Sequence, residues 1–260
     1  MVRDKRDTGG LNQLLNALPD AERQRLLSSM KPVFINVKTV LFEPGRAIAS
    51  VDFPRNCVVS LVTPLQGETV VEVATVGNEG IVGVPLVLGG SLAVRAICSV
   101  AGWADRMDAL TFVEEVQREG PLREVVNDYL QALFGQISQA AACNRLHSIE
   151  ERLSRWLLMS HDRAGTDEFP ITHKFLGRML GSRRASVTVS AGILQEAGLI
   201  RYQRGRVTIV DRAGLEAAAC ECYSAIETEL KGVVQRAHRR QHGAAGRVSP
   251  GRDHGGGQPA

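Results

Sequence analysis

Long apolar runs are missing from this chain. No stretch approaches the roughly 20 apolar residues that a membrane-spanning helix needs, and the opening MVRDKRDTGG lacks the apolar core of a leader peptide. The expectation is a cytoplasmic protein with no membrane partner. Cysteines are few and scattered: Cys57, Cys98, Cys143, Cys220 and Cys222 include one C-x-C pair but show neither the paired spacing of a zinc site nor a disulfide framework. Reduced structural thiols are expected, with no metal and no cofactor. A nucleophile with its base, a phosphate-binding loop and a metal-ligand motif are also missing, which argues against an enzyme.

What is present suits two domains of ordinary size. The chain has 260 residues, of which 44% are hydrophobic and 23% charged, enough to bury two cores. The first ten residues read as a loose tail. Residues 11–30 read as two short amphipathic helices, with Pro19 in the first turn of the second. Strand-like runs follow at 33–42, 57–63, 69–76, 81–87 and 92–100, separated by turn chemistry such as Glu43-Pro44-Gly45 and Gly77-Asn78-Glu79-Gly80. Around residues 105–108 the pattern turns helical, and Asp108 is a plausible cap for a helix reaching Arg118. Residues 11–120 are therefore read as a β-rich domain of sandwich or barrel type.

Gly120-Pro121 then opens a long helix, and residues 121–148 are assigned as a linking and dimerisation helix. Its apolar stripe is expected at Val126, Tyr129 or Leu130, Leu133, Ile137 and Ala140 or Ala141, with Asn144 in line. The alternative is a helix packed on its own β-domain, and its length suits both roles. Residues 149–225 are read as a second, mainly helical domain. A last helix starts at the cap Asp211, contains Leu215, and extends through Ile226 and Leu230 toward Arg240. Residues 241–260, rich in Gly and Pro, are expected to be disordered.

The strongest pattern lies at residues 171–210, ITHKFLGRMLGSRRASVTVSAGILQEAGLIRYQRGRVTIV. Thr172 caps a short helix with apolar Phe175, Met179 and Leu180. Gly181-Ser182 breaks that helix and caps a second one, which carries Arg183, Arg184, Ser186 and Thr188 early, Ile193 and Leu194 on its buried side, and Gly198 at its end. Two alternating strands flank the turn Gln203-Arg204-Gly205-Arg206 and form a wing. Lys174, Arg178, Arg183, Arg184, Arg201, Arg204 and Arg206 face Glu196 alone in this window, whereas the whole chain carries only +3. A positive field concentrated on one module is the footprint of a phosphate-binding surface.

The order of β-domain, long helix and winged helix-turn-helix, with ITHKFLGRMLGSRRASV at its centre, resembles the Crp/Fnr family of bacterial transcription regulators. The resemblance implies an α+β fold: an N-terminal double-stranded β-helix or jelly-roll sensor domain, a long dimerisation helix and a C-terminal winged helix-turn-helix. It implies double-stranded DNA and a second copy of the chain as partners, and leaves room for RNA polymerase. Carried over by position, Thr172 and Lys174 meet phosphates, Arg184 reads guanine, Ser186 reaches the DNA backbone and Arg183 adds a phosphate contact. Arg204 and Arg206 are the wing's phosphate contacts. Ala185 stands at the position of a base-reading glutamate, and Val189 where many members have a second arginine. An atypical half-site is expected, with the Ala185 methyl against thymine as one way to read it.

The sensor pattern departs further. The family's cyclic-AMP binders use a Gly-Glu pair and an Arg-Ser-Ala, whereas this chain has Gly83-Val84 and a displaced Arg95-Ala96. Cyclic AMP is not expected to bind through those contacts. The clustered N-terminal cysteines of iron-sulfur members are absent, so no cluster is expected. Cys220-Glu221-Cys222 is read as structural rather than redox-active, because a helix would place residues two apart on different faces. His147, His161 and His173 are read as packing or surface histidines rather than haem ligands. The function expected is a sequence-specific, homodimeric, DNA-binding transcription regulator on a palindromic site. The rival is a small-molecule sensor whose winged domain serves protein interaction.

Overall fold

The computed structural model describes residues 10–66, 69–89 and 92–245. Two short helices, α1 (Gln13–Asn16) and α2 (Asp20–Ser28), precede the strands. Asn12 caps α1 by accepting from Leu14 N, while its amide donates to Pro54 O at 3.0 Å and Gly80 O at 2.9 Å, so this buried side chain ties the helix to two loops.

Seven strands form the β-domain: β1 (Lys31–Ile35), β2 (Val40–Phe42), β3 (Ser50–Pro54), β4 (Val58–Pro64), β5 (Val70–Val76), β6 (Arg95–Val100) and β7 (Gly102–Asp108). They make two antiparallel sheets, ordered β1-β7-β3 and β2-β6-β4-β5. Phe53, Ala104 and Met107 from the first share one core with Val59, Leu61, Val76, Ala96 and Cys98 from the second.

Three expectations about this domain are corrected. Residues 81–87 do not form a strand: one bridge, Val82 to Asp52, leads to a 3-10 turn at Val84–Leu86, because Gly83 adopts φ +122° and Pro85 removes a donor. Ser50–Pro54 is a strand that the expected runs omit. Residues 105–107 belong to β7 rather than to a helix. Charge disguises both of these strands, yet each charge has a cross-strand or loop partner: Arg106 Nε donates to Asp52 at 2.7 Å, and Arg55 binds both oxygens of Asp105 at 2.8 and 2.7 Å. Asp108 does cap α3 (Ala109–Gln117).

The long helix α4 runs Pro121–Leu146 and α5 runs Ile149–Ala164. Between them Ser148 and Glu151 form a capping box, which fixes the start of α5. The stripe expected for dimerisation is largely used inside the chain: Val126, Tyr129, Leu133 and Ala140 are buried. Gln136, also buried, donates to Thr75 O at 3.2 Å, which places this side of α4 on β5. Other members of the expected stripe, Leu130, Ile137 and Ala141, lie beside Phe134 on another side of the helix; Leu130 and Ile137 are half-buried against the core, and Phe134 is 72% exposed.

The single last helix of the sequence reading is two helices, α8 (Arg212–Ala217) and α9 (Cys222–Ala245). Ile226, Leu230, Val233 and Ala237 of α9 enter the same core as Val126, Tyr129 and Leu133 of α4. Tyr223 near its start still packs on the C-terminal domain's core, and from Ile226 onward the helix returns to the N-terminal core. The Glu229 carboxylate of α9 lies over Gly135 of α4. Arg240 Nη1 pairs with Asp128 at 2.8 Å. The tail expectation for 241–260 is corrected for 241–245, which continue the helix α9. The rest of that tail, and residues 1–9 of the N-terminal one, lie outside the described residues. Among the described residues no helix is long and apolar enough to cross a membrane.

Candidate nucleic-acid interface

Thr172 Oγ1 accepts from Phe175 N at 3.2 Å and starts α6 (His173–Met179). Gly181, at φ +58°, permits the left-handed step out of the helix. Gly177 permits the tightness of the turn, since a Cβ there would sit 2.9 Å from Ser182 O, while Ser182 N donates to Gly177 O at 2.8 Å. The second helix, α7, is Arg184–Glu196 with Arg183 as its N-cap residue. Ser182 therefore does not cap it; its hydroxyl donates backward to Leu180 O at 3.3 Å. With no side-chain cap, the first N–H groups of α7 stay open to an anion.

Val187, Ser190, Ala191 and Leu194 bury one side of α7, at the helical spacing of three, one and three. Ile193 is corrected from the buried set: it is 44% exposed and shares the outer face with Val189 and Ala185, four residues apart in turn. Gly198, at φ +76°, follows the end of α7 as expected.

The wing is β9 (Ile200–Gln203) and β10 (Arg206–Ile209). Arg204 and Gly205 between them have φ +50° and +74°, the pair of positive angles that a two-residue hairpin turn matched to strand twist requires. A third strand, β8 (Glu168–Pro170), pairs with β10 and gives the order β8-β10-β9.

The fold brings these pieces to one side. Ile171 N donates to Gly205 O at 2.8 Å, and the space beside Gly205 is bounded by the Thr172 methyl, so the wing turn touches the start of α6. His173 completes the link: its Nδ1 is 2.9 Å from Thr188 Oγ1 of α7, and its ring stacks on Tyr202 of β9 at 4.1 Å. Burial first, and then the Arg184 charge, lower the His173 pKa, which keeps this ring neutral. Neither His173 nor Tyr202 stood among the expected site residues; the stacking across 29 positions leaves no short-range signal.

Lys174, Arg183, Arg184 and Arg204 are exposed and have no carboxylate partner among the described residues, nor does Arg201. Ser186 is half-buried on the first turn of α7. Several arginines elsewhere are engaged: Arg25 with Glu115, Arg95 with Glu43, Arg163 with Glu79, Arg212 with Asp162. Arg206 also has a partner, Glu168 on β8, which sets it apart from the free cations of the expected site. Arg178 faces the other way, lining with Lys38 and Arg95 a cleft of about 400 Å³ between the second sheet and α6.

Residues 151–218 match the family model of the Crp-like helix-turn-helix domain. The chain carries a Crp-like domain. In its fold the whole chain is similar to a Crp/Fnr-family protein of Eubacterium rectale, at 17% identity and TM-score 0.61 over 79% of this chain and 96% of that one. It is likewise similar to a CRP-family transcriptional regulator of Thermus thermophilus (18%, 0.58, 72% and 96%) and to FixK2 of Bradyrhizobium japonicum (11%, 0.62, 74% and 98%). No curated protein matches the sequence. The expected architecture of β-sheet domain, long helix and Crp-like winged helix-turn-helix is thus the one observed, and it is the Crp/Fnr fold.

Two side-chain hydrogen bonds are among the contacts that join the Crp-like domain to the β-domain, alongside Val58 and Val100, which enter its apolar core. Arg163 Nε of α5 donates to Glu79 at 2.7 Å in a buried pair, and Gly77 makes room for the arginine stem. Trp156 Nε1 donates to Glu72 of β5 at 3.2 Å.

The scattered-thiol expectation is corrected here as well. Cys143, Cys220 and Cys222 form a small buried group of their own, beside His147. Cys220 and Cys222 straddle the start of α9 instead of lying inside one helix, so both turn inward.

Proposed function

We propose that this protein is a sequence-specific DNA-binding transcription regulator of the Crp/Fnr type that acts as a homodimer on a palindromic site. One observation carries the reading: on a Crp-like helix-turn-helix, the cations Lys174, Arg183, Arg184, Arg201 and Arg204 are exposed without carboxylate partners, around a recognition helix whose N-terminus is uncapped. Counterion release from DNA rewards such a face, and the open N–H groups of α7 suit a phosphate. Thr172, Lys174, Arg183 and Arg204 contact phosphate, Ser186 contacts the DNA backbone, and Arg184 reads guanine through O6 and N7. Arg206 acts by holding the wing to β8 through Glu168, in addition to its field at the DNA. DNA as target places the protein in the cytoplasm, and the function requires no catalytic step.

Cyclic AMP does not control it through the family's usual contacts. Arg95 is held by Glu43 at 2.7 Å, and Val84 offers no acceptor to a ribose hydroxyl. The partly exposed row Leu130, Phe134, Ile137 and Ala141 on α4 supports pairing of two copies.

Selection from random duplexes tests the reading: enrichment of an inverted repeat is expected. Arg184→Ala should then weaken binding to that repeat by about 1–3 kcal/mol and relax one base position. Unchanged operator preference in Arg184→Ala would remove the central assignment. A second reading, a sensor whose winged domain binds protein, draws on the exposed Val189 and Ile193 of α7. No enriched sequence at low salt would favour it.

A further inference from the structure

The last turns of α4 and the turn between α8 and α9 meet at a group of side chains that the DNA-binding reading leaves unused. Cys143 and His147 are four residues apart at the end of α4, and so lie on one side of it. Cys220 precedes α9 and Cys222 is its first residue. The three sulfurs and the imidazole nitrogen all lie within 4.8 Å of one another. Cys143 Sγ is 3.5 Å from Cys220 Sγ, and Cys222 Sγ is 3.5 Å from His147 Nδ1.

Those spacings are the edges of a coordination tetrahedron. With zinc–sulfur bonds of about 2.3 Å and a zinc–nitrogen bond of about 2.0–2.1 Å, tetrahedral edges are about 3.8 Å between sulfurs and about 3.5 Å from sulfur to nitrogen. A Cys3His set of this size, its cysteines buried and its histidine half-buried, suits a soft divalent cation in a structural site.

The surroundings point to the same ligand. Glu221 Oε2 lies 3.2 Å from His147 Nε2, so the ring's proton belongs on Nε2 and the Nδ1 lone pair faces the sulfurs. Gln139 Nε2 donates to Cys222 Sγ at 3.1 Å, a contact that favours thiolate. Arg152 and Arg155 are buried next to the group; among the described residues neither makes a close ion pair with a carboxylate, although the Arg155 charge also reaches Glu72. Their Nε atoms make no hydrogen bond. Arg155 acts on the Cys143 thiol, and Arg152 on Cys143 and Cys220, through charge. Buried guanidinium groups without counter-charge are costly. Three thiolates, one neutral imidazole and one dication sum to a single negative charge, which the arginines offset.

We propose that Cys143, His147, Cys220 and Cys222 form a tetrahedral zinc(II) site that clips the end of α4 to the start of α9. Binding forms three zinc–sulfur bonds and one zinc–nitrogen bond, and the three thiol protons pass to solvent. Arg152 connects the site onward, because its guanidinium also donates to Leu180 O at the turn of the helix-turn-helix. The metal thereby braces the joint between the long helix and the Crp-like domain.

The test uses the full chain and no DNA, so its outcome is separate from the DNA-binding reading. Protein prepared under reducing conditions from zinc-supplemented medium is expected to hold one zinc per chain by mass spectrometric metal analysis. Chelator-stripped protein titrated with cobalt(II) should show thiolate-to-cobalt charge transfer and tetrahedral d–d bands, both abolished by one equivalent of zinc. Chelation should lower the melting temperature, and zinc should restore it. Cys143→Ser combined with Cys222→Ser should lose at least nine-tenths of the metal, whereas Cys98→Ala should keep it. Less than a tenth of an equivalent of zinc together with no cobalt–thiolate band overturns the site. So does unchanged metal in the double variant, or a Cys143–Cys220 disulfide in place of metal. The cobalt spectrum needs no variant, so a misfolded mutant leaves the question decidable.

Discussion

Glu72 illustrates how one side chain can make the joint between the two halves depend on pH. Burial pushes its carboxyl up to about 7, against the opposing pull of the Trp156 indole and of the Arg155 and Arg163 charges. Its ordinary value of 4.5 applies to the unfolded chain. A folded-state pKa above the unfolded one means that the folded protein binds the proton more tightly. The corresponding stability is fully present below pH 4.5 and is lost as pH rises through about 7. Glu72→Gln keeps the shape and an acceptor for Trp156 but cannot ionise. It should be more stable than wild type at pH 8 by on the order of 1–3 kcal/mol, with the gap closing below pH 5. Chemical denaturation at several pH values measures this, and parallel pH profiles for the two proteins would refute the assignment. His173 titrates in the opposite sense: burial and Arg184 keep it neutral, so its contact with Thr188 stays constant across the physiological range.

At the scale of the element, the wing is where local chemistry and function coincide. Arg204 holds φ +50° in the turn, a conformation that costs a residue with a Cβ about 1–2 kcal/mol, and its guanidinium is exposed. Arg204→Ala should lower DNA affinity to a similar degree on all sequences and reduce the salt slope by about one counterion, with the operator preference intact. Binding isotherms between 50 and 200 mM salt check it, on the interval in which phosphate contacts are most visible (about 10³–10⁵-fold for 6–10 of them). A change in sequence preference would instead make Arg204 a base reader. This hairpin, like the helix-turn-helix, was legible in the sequence because Thr172, Gly181, Gly198 and Gly205 each mark a backbone event at the residue concerned. β3 and β7 were not, because Asp52, Asp105 and Arg106 interrupt the apolar alternation and find their partners on other strands or loops. Residues 81–87 misled in the other direction: Val and Ile suggest a strand that Gly83 and Pro85 prevent. The Cys3His group was invisible for a topological reason. Its ligands come as 143 and 147 from one helix end and 220 and 222 from a turn more than 70 residues later, and α9 must fold back along α4 to join them.

The whole molecule is organised by the three sides of α4. One side packs on β5 through Tyr129, Leu133 and Gln136, and the second takes α9 at Gly135, Gln139 and Cys143. The third presents Phe134 and Ala141 exposed, with Leu130 and Ile137 half-buried beside them. On the proposed reading, this partly exposed stripe, spaced by three and four residues, pairs with its own copy about a two-fold axis, and such a dimer would set two recognition helices about 34 Å apart on one face of DNA. Phe134, 72% exposed, is the largest side chain of that row. Phe134→Asp removes an aromatic anchor worth about 2–4 kcal/mol and, in a two-fold contact, sets two carboxylates against each other. Sedimentation at micromolar concentration should show a monomer in place of a dimer. Affinity for an inverted repeat should fall by at least tenfold, while binding to a single half-site changes little, because α7 and the wing are untouched. A variant that remains dimeric with full affinity for the repeat would place the subunit contact elsewhere on the molecule.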